Sequence, residues 1–336
     1  MVDCIISLEN NTAGVFIAGS VLKGTIELHL DQPKKINGLS FLVYGKAHTA
    51  WSHTRTTESE TESETESFAC EGNEIYLNEK TVLIGHDGQV KLDQGIHRYS
   101  FACPLPLLLP GSFEAKTGHI RYTIEANLDV PWKFDKKIKV QFQVVRQENL
   151  NDHPELMLPY ANEETKKYSI CCFKFHPVVM KVSLPQTGYS LGQKIDINVN
   201  YENFGKVKIR RTIFNLFRVD TFHADNYGYT HTDRVRILEL YGPGVAAGQG
   251  NVDLSQSLFV SFASLLTSVN YSKLIKVCYE VKVTAEVAFF DNIEMTIPIT
   301  IGTIPLNMKP ITTTAIQQLP SAPYEEPMKK IPYIDE

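Results

Sequence analysis

The chain has 336 residues, 43% of them hydrophobic and 10% aromatic, the make-up of a folded protein with room for two ordinary domains. Its formal net charge of −5 is accounted for by one short run holding Glu58, Glu60, Glu62, Glu64 and Glu66. The neutral remainder argues against a nucleic-acid binder, which needs a net basic footprint. No apolar run approaches the roughly 18 residues of a membrane-spanning helix, and MVDCIISLEN carries an acid where a signal peptide has bases. Neither a membrane span nor a secretion signal is therefore expected. Six cysteines without a Cys-x-x-Cys are too sparse for a disulfide scaffold, and the adjacent Cys171 and Cys172 cannot easily clamp one zinc. Reduced thiols in a cytoplasmic protein, with no metal or cofactor, are the expectation.

Residues 2–8 read as a first strand at a sheet edge. Leu22, Gly24, Ile26, Leu28 and Leu30 then alternate with Lys23, Thr25, Glu27 and His29, the two-residue period of a half-buried strand. Residues 36–48 are apolar on both faces, as in a strand at the centre of a sheet. The run 54–67 is acidic, rich in hydroxyls and poor in apolar side chains, so it predicts a mobile loop inserted between strands. Its Thr57, Ser59, Thr61, Ser63 and Thr65, each followed by a glutamate, are a candidate phosphorylation cassette.

Strands follow over 74–84, 95–103, 119–130 and 134–145. The third is the most regular: Ile120, Tyr122, Ile124, Ala126, Leu128 and Val130 on one face, Arg121, Thr123, Glu125, Asn127 and Asp129 on the other. No helix holds that pattern, because a period of 3.6 residues would scatter the apolar side chains around its axis. Pro104, Pro106 and Pro110 remove backbone donors just upstream, so the chain there crosses without joining a central ladder. Residues 147–167 are polar and contain two prolines, the composition of a connection between domains.

Alternation resumes at Ile195, Ile197, Val199 and Tyr201. The longest stripe is Val277, Tyr279, Val281, Val283, Ala285, Val287 and Phe289, which turns through Asp291-Asn292 into Ile293, Met295, Ile297, Ile299 and Ile301. Regularly spaced strands without helical crossovers predict an all-β protein of two tandem antiparallel sandwiches. The expected division is 1–146, a connection at 147–167, 168–306, and a proline-containing disordered tail at 307–336.

Lys206, Lys208 and Arg210 alternate with Val207 and Ile209, placing three cations on one strand face beside Arg211. Such a stripe suits an acidic partner or phosphoinositide headgroups, and equally a plain solvated face; Lys133, Lys136, Lys137 and Lys139 make a similar case. The glycine-rich stretch 242–250 has the wrong spacing for a dinucleotide loop and no helix after it, so it reads as a loop between strands. No nucleophile elbow, phosphate-binding Walker loop or His-Glu-x-x-His is present, and enzyme activity is not expected.

Several of these residues, taken in order, resemble one family. Gly95-Ile-His-Arg-Tyr-Ser-Phe, Leu105-Pro106, Leu109-Pro110, Ser112-Phe113-Glu114, Gly118-His-Ile-Arg-Tyr122 and Pro131-Trp132 resemble the N-terminal domain of the α-arrestins, the arrestin-domain-containing proteins. Cys171-Cys172-Phe173, Gly188-Tyr189, Gly192-Gln193, Cys278 to Val283 and Ile297-Pro-Ile-Thr-Ile-Gly-Thr-Ile-Pro-Leu306 resemble their C-terminal domain. The resemblance implies arrestin-like sandwiches in a cytoplasmic trafficking adaptor. Such an adaptor binds cytoplasmic segments of membrane proteins and links them to endocytosis, ubiquitination or endosomal sorting. It also implies recruitment to plasma membrane and endosomes by peripheral association. A coat subunit of retromer type, acting in protein transport, is the alternative.

No set of buried Asp and Arg residues like the polar core of visual and β-arrestins is apparent. In the family's tails, Pro-Pro-x-Tyr is read by WW domains of HECT-type ubiquitin ligases as a polyproline segment. Here Tyr324 occupies the expected place, but Ser321 and Ala322 replace the two prolines, which argues against that partner. Pro320-Ser321-Ala322-Pro323 instead resembles the late-domain peptide bound by ESCRT-I.

Overall fold

The computed structural model describes residues 2–9, 14–58, 63–85, 88–132, 135–170, 173–259, 267–269 and 271–306. Strands dominate them, and the only helical pieces among them are two short 3-10 turns, Leu150–Asp152 and Pro154–Met157. Among the described residues no helix is long and apolar enough to cross a membrane.

Each half pairs two sheets, and the larger sheets of the two halves repeat one topology. In the first half, Val2–Leu8, Val21–Leu30 and Gly95–Pro104 form one sheet. The other runs from Val15–Ile17 through Lys136–Val145, Gly118–Asp129 and Gly38–Glu58 to Ser63–Ile84. In the second half, Tyr160–Lys166, Val178–Leu184, Lys194–Asn203 and Gly250–Phe259 form one sheet. Its partner runs from Gly188–Ser190 through Ile293–Gly302, Ile275–Val287 and Ile209–His223 to Thr230–Gly242. Both larger sheets begin with a three-residue strand laid parallel to the last long strand, and both end in a long hairpin.

The two-residue alternation is realised as burial. Ile120, Tyr122, Ile124, Ala126, Leu128 and Val130 are all buried, as are Val277, Tyr279, Val281, Val283, Ala285 and Val287; Phe289, expected to end that stripe, instead lies past the strand's end and is exposed. Gly38–Glu58, expected to be central, lies between Gly118–Asp129 and Ser63–Ile84. Among the described residues Val2–Leu8 is the edge of its sheet, paired only with Val21–Leu30. The proline crossing is tied to the core by Tyr122, whose hydroxyl donates to the Pro110 carbonyl at 2.6 Å. Gly45 makes room for that ring: a β-carbon there would stand 2.4 Å from it.

Three expectations are corrected. The described parts of the run 54–67, residues 54–58 and 63–67, are strand rather than loop. Thr54 pairs with Ser67, Arg55 with Glu66 and Thr56 with Thr65, so the ladder of Gly38–Glu58 and Ser63–Ile84 continues into the acidic segment. Composition missed this because a two-stranded extension has no core of its own and needs no apolar stripe. Within the expected connection at 147–167, Tyr160–Lys166 is a strand paired along Val178–Leu184, and as an edge strand it tolerates charge on both faces. Finally, Lys206 and Lys208 precede the strand Ile209–His223 rather than lying within it.

Candidate functional site

The two long hairpins meet at the seam between the halves. The turn after Ile209–His223 grips the backbone of the first hairpin from the side. Asn226 Oδ1 accepts from the Glu71 amide at 2.8 Å and Asn226 Nδ2 donates to the Ala69 carbonyl at 3.0 Å. Asp225 Oδ2 accepts from the Asn73 amide at 2.7 Å, and the Asp225 amide donates to Glu71 at 2.9 Å. Asx side chains suit this role because their short polar arms reach a neighbouring backbone. Aromatic rings close the same contact: His53 stacks on Tyr229 at 4.3 Å, Phe68 meets Tyr227 and Tyr229, and Trp51 faces His231.

Below this clasp the seam is apolar. Phe113 of the first half packs on Phe222 of the second, and one cluster of buried side chains runs through both sandwiches. Burying rings of this size stabilises by about 1.5–3 kcal/mol each, so the halves are held by more than their linker. Polar bonds also cross: Thr49 Oγ1 to the His223 carbonyl, Thr117 Oγ1 to Asp233, and Tyr76 to Ser272 beside Glu74.

Two acid–base pairs lie inside this seam, although no buried Asp and Arg set is expected from the residues alone. Asp220, 1% exposed, receives Arg218 Nε and Nη2 at 2.8 Å. Burial pushes its carboxyl above the ordinary range, with Arg218 opposing. Glu148 is buried beside Arg146 and His153, and burial raises its carboxyl as well. Both pairs are two residues apart along one stretch of chain, so neither ion pair itself joins the halves. What crosses is each guanidinium against a ring: Arg218 over Phe113, and Arg146 3.2 Å above Tyr271.

The far end of the second sandwich is basic and aromatic. Lys206, Lys208, Arg210 and Arg211 are all exposed, around buried Val207 and Ile209. A bulge between Ile209 and Arg211 turns both arginines to Glu286, at 3.8 and 2.6 Å. Lys206 and Lys208 make no ion pair with any described residue. Phe204 (61% exposed) and Phe289 (92%) stand beside them, the latter at φ +66 with Arg210 over its ring.

The description "Arrestin (or S-antigen), N-terminal domain" matches residues 4–151, and "Arrestin (or S-antigen), C-terminal domain" matches residues 174–306. Arrestin domain-containing protein 17 of Caenorhabditis elegans is 30% identical over 305 residues, covering 89% of this chain and 70% of that protein. The chain belongs to the α-arrestin family. Human arrestin domain-containing protein 4 is 26% identical over 303 residues (89% of this chain, 71% of that protein). Mouse arrestin domain-containing protein 1 is 25% identical over 322 residues (93% and 69%). Arrestin-family proteins are adaptors rather than enzymes.

For an α-arrestin adaptor the remaining candidates are distributed as follows. In the acidic cassette, Thr57, Ser63 and Thr65 belong to the paired hairpin strands, and Thr65 is exposed; Ser59 and Thr61 lie outside the described residues. Pro320, Ser321, Ala322, Pro323 and Tyr324 also lie outside them, as do Lys133, Cys171 and Cys172. Lys136 is 3.5 Å from Asp3, and Lys137 is 3.5 Å from Glu125, so these two cations are partnered. The glycine-rich stretch links Thr230–Gly242 to Gly250–Phe259, and its Val245 bonds reciprocally with Ile209.

Proposed function

We propose that this α-arrestin is a cytoplasmic trafficking adaptor that captures extended cytoplasmic segments of membrane proteins and passes them to endocytic, ubiquitin-linked or endosomal sorting machinery. The observation that carries the reading is the strand Val2–Leu8, which among the described residues is paired on one side only, leaving a row of backbone donors and acceptors along its other side. An extended peptide adds to such an edge through its own main chain, with side-chain pockets supplying selectivity.

The basic, aromatic far end of the second sandwich supports work close to an acidic membrane face, where Lys206 and Lys208 add attraction and Phe204 and Phe289 supply apolar contact. Two weak contacts on one body reinforce each other through effective concentration. Hand-over to ESCRT-I is assigned to Pro320-Ser321-Ala322-Pro323, on its sequence alone.

Proximity labelling in living cells tests the reading with three proteins: the full chain, a 1–306 truncation, and a folded variant lacking residues 2–8. The full chain is expected to label integral membrane proteins and ESCRT-I subunits. The truncation should keep the first set and lose the second, and the edge deletion should lose the first. Retained labelling of membrane proteins by the folded edge deletion refutes capture at Val2–Leu8.

A further inference from the structure

We infer that the far end of the first sandwich is a second membrane anchor, which seats Trp132 among acidic lipid headgroups. The inference rests on the membrane-proximal reading above and adds a contact at the opposite end of the molecule. Among the described residues only three other than glycine adopt left-handed backbone: Trp132 (φ +63), Tyr227 (φ +63) and Phe289 (φ +66). All three are aromatic and all are exposed. That backbone region disfavours bulky side chains, and glycine or asparagine would serve such a turn with less strain. Strain of this kind is ordinarily offset by packing, yet Trp132 is fully exposed.

The backbone on either side is held in place. Asn37 Nδ2 donates to Asp129 Oδ1 at 2.7 Å and the Asn37 amide to the Asp129 carbonyl at 2.9 Å. Gln89 Nε2 reaches Asn37 Oδ1 at 3.2 Å, and Asn127 Nδ2 reaches Asp135 Oδ2 at 3.0 Å. Within three residues along the chain from the knot of Asp129, Asn37 and Gln89 come one indole and two lysines. Trp132 follows Asp129 by three positions, Lys35 precedes Asn37 by two, and Lys91 follows Gln89 by two.

Lys35 and Lys91 are direct cross-strand partners in the ladder of Lys34–Ile36 and Val90–Leu92. Both are exposed and neither makes an ion pair with any described residue. Like charges directly opposite each other are destabilising, and an anionic surface relieves that repulsion. An indole with its polar edge wet, flanked by lysines, is the chemistry of the bilayer interface with acidic lipid. Phe289 with Lys206, Lys208 and Arg210 repeats the arrangement on the second sandwich.

The chain has two tryptophans, Trp51 and Trp132, so the full chain carrying Trp51→Phe reports on Trp132 alone. With vesicles of phosphatidylcholine plus phosphatidylserine, its emission is expected to shift to the blue and its quenching by acrylamide to fall several-fold. Phosphatidylcholine alone should produce neither change. Trp132→Gly, in the otherwise unaltered chain, is expected to melt no lower than the parent yet co-sediment several-fold less with the acidic vesicles. Lys35→Glu combined with Lys91→Glu should do the same.

Unchanged Trp132 emission in protein that does co-sediment overturns the anchor while leaving the other end's membrane contact intact. Loss of co-sedimentation with Phe289→Ser, together with full retention in Trp132→Gly, overturns it in the same way. No co-sedimentation by the parent overturns both readings. A blue shift produced equally by soluble polyglutamate assigns the tip to an acidic chain and overturns the lipid assignment.

Discussion

Replacing Asp220 with alanine leaves the Arg218 guanidinium without its partner. Asp220 is 1% exposed, the Arg218 side chain is 16% exposed, and three contacts of 2.8, 3.1 and 2.8 Å join them. Breaking a buried pair from one side costs about 3–5 kcal/mol, because the surviving charge loses compensation that water cannot supply. For a unit of roughly 150–250 residues each kcal/mol lowers Tm by about 2–4 °C, so a fall on the order of 10 °C is expected by calorimetry. The double variant Arg218→Met/Asp220→Leu removes both charges and fills the space with apolar atoms, so it should melt well above Asp220→Ala. A double-mutant cycle on Arg218→Ala and Asp220→Ala then isolates the pair's coupling. The reasoning fails if Asp220→Ala costs less than about 1 kcal/mol, or if the apolar double variant melts below the single one.

Tyr122→Phe strands the Pro110 carbonyl in the core and should cost about 1–3 kcal/mol in urea unfolding; no change would mean that water already satisfies it. Gly45→Ala drives a β-carbon against the Tyr122 ring and should cost about 1–3 kcal/mol by the same assay, whereas a neutral outcome requires that ring to move freely. Asn226→Ala should speed hydrogen exchange at the Glu71 amide several-fold and leave the amides of Gly118–Asp129 unchanged; equal exchange at Glu71 would show that the clasp does not hold the hairpin. Glu148 carries a carboxyl raised by burial, so the folded state is favoured when it is protonated. Its contribution to stability grows as pH falls through that raised value and is complete below the ordinary 4.5. Glu148→Gln should remove this slope from Tm measured against pH, and an unaltered slope contradicts the burial argument.

What local sequence conveys here is periodicity. Ile120 to Val130 announce their strand because each apolar residue must face the core, and the same holds for Val277 to Val287. Features made by distant contacts are less visible. The acidic hairpin has no apolar stripe; its order comes from a ladder begun at Leu39 and from Tyr229, Asn226 and Asp225, more than 150 residues away. Arg218 and Asp220 did leave a sign. They interrupt the stripe Phe214, Leu216 and Phe222, and charge on an apolar face of a strand marks a buried pair or a contact with another body. The left-handed aromatics leave none, since nothing in Pro131-Trp132 or Phe289-Phe290 fixes φ. The basic stripe was legible as composition but not as placement, because the bulge that swings Arg211 beside Arg210 depends on pairing with Ile275–Val287.

Hydrogen exchange along Val2–Leu8 tests the adaptor account most directly, measured on the full protein with and without a cytoplasmic segment recovered by proximity labelling. Capture by strand addition predicts new protection at alternate amides of Val2–Leu8, those not already bonded to Val21–Leu30. Tight binding of the segment with exchange along that edge unaltered would contradict it.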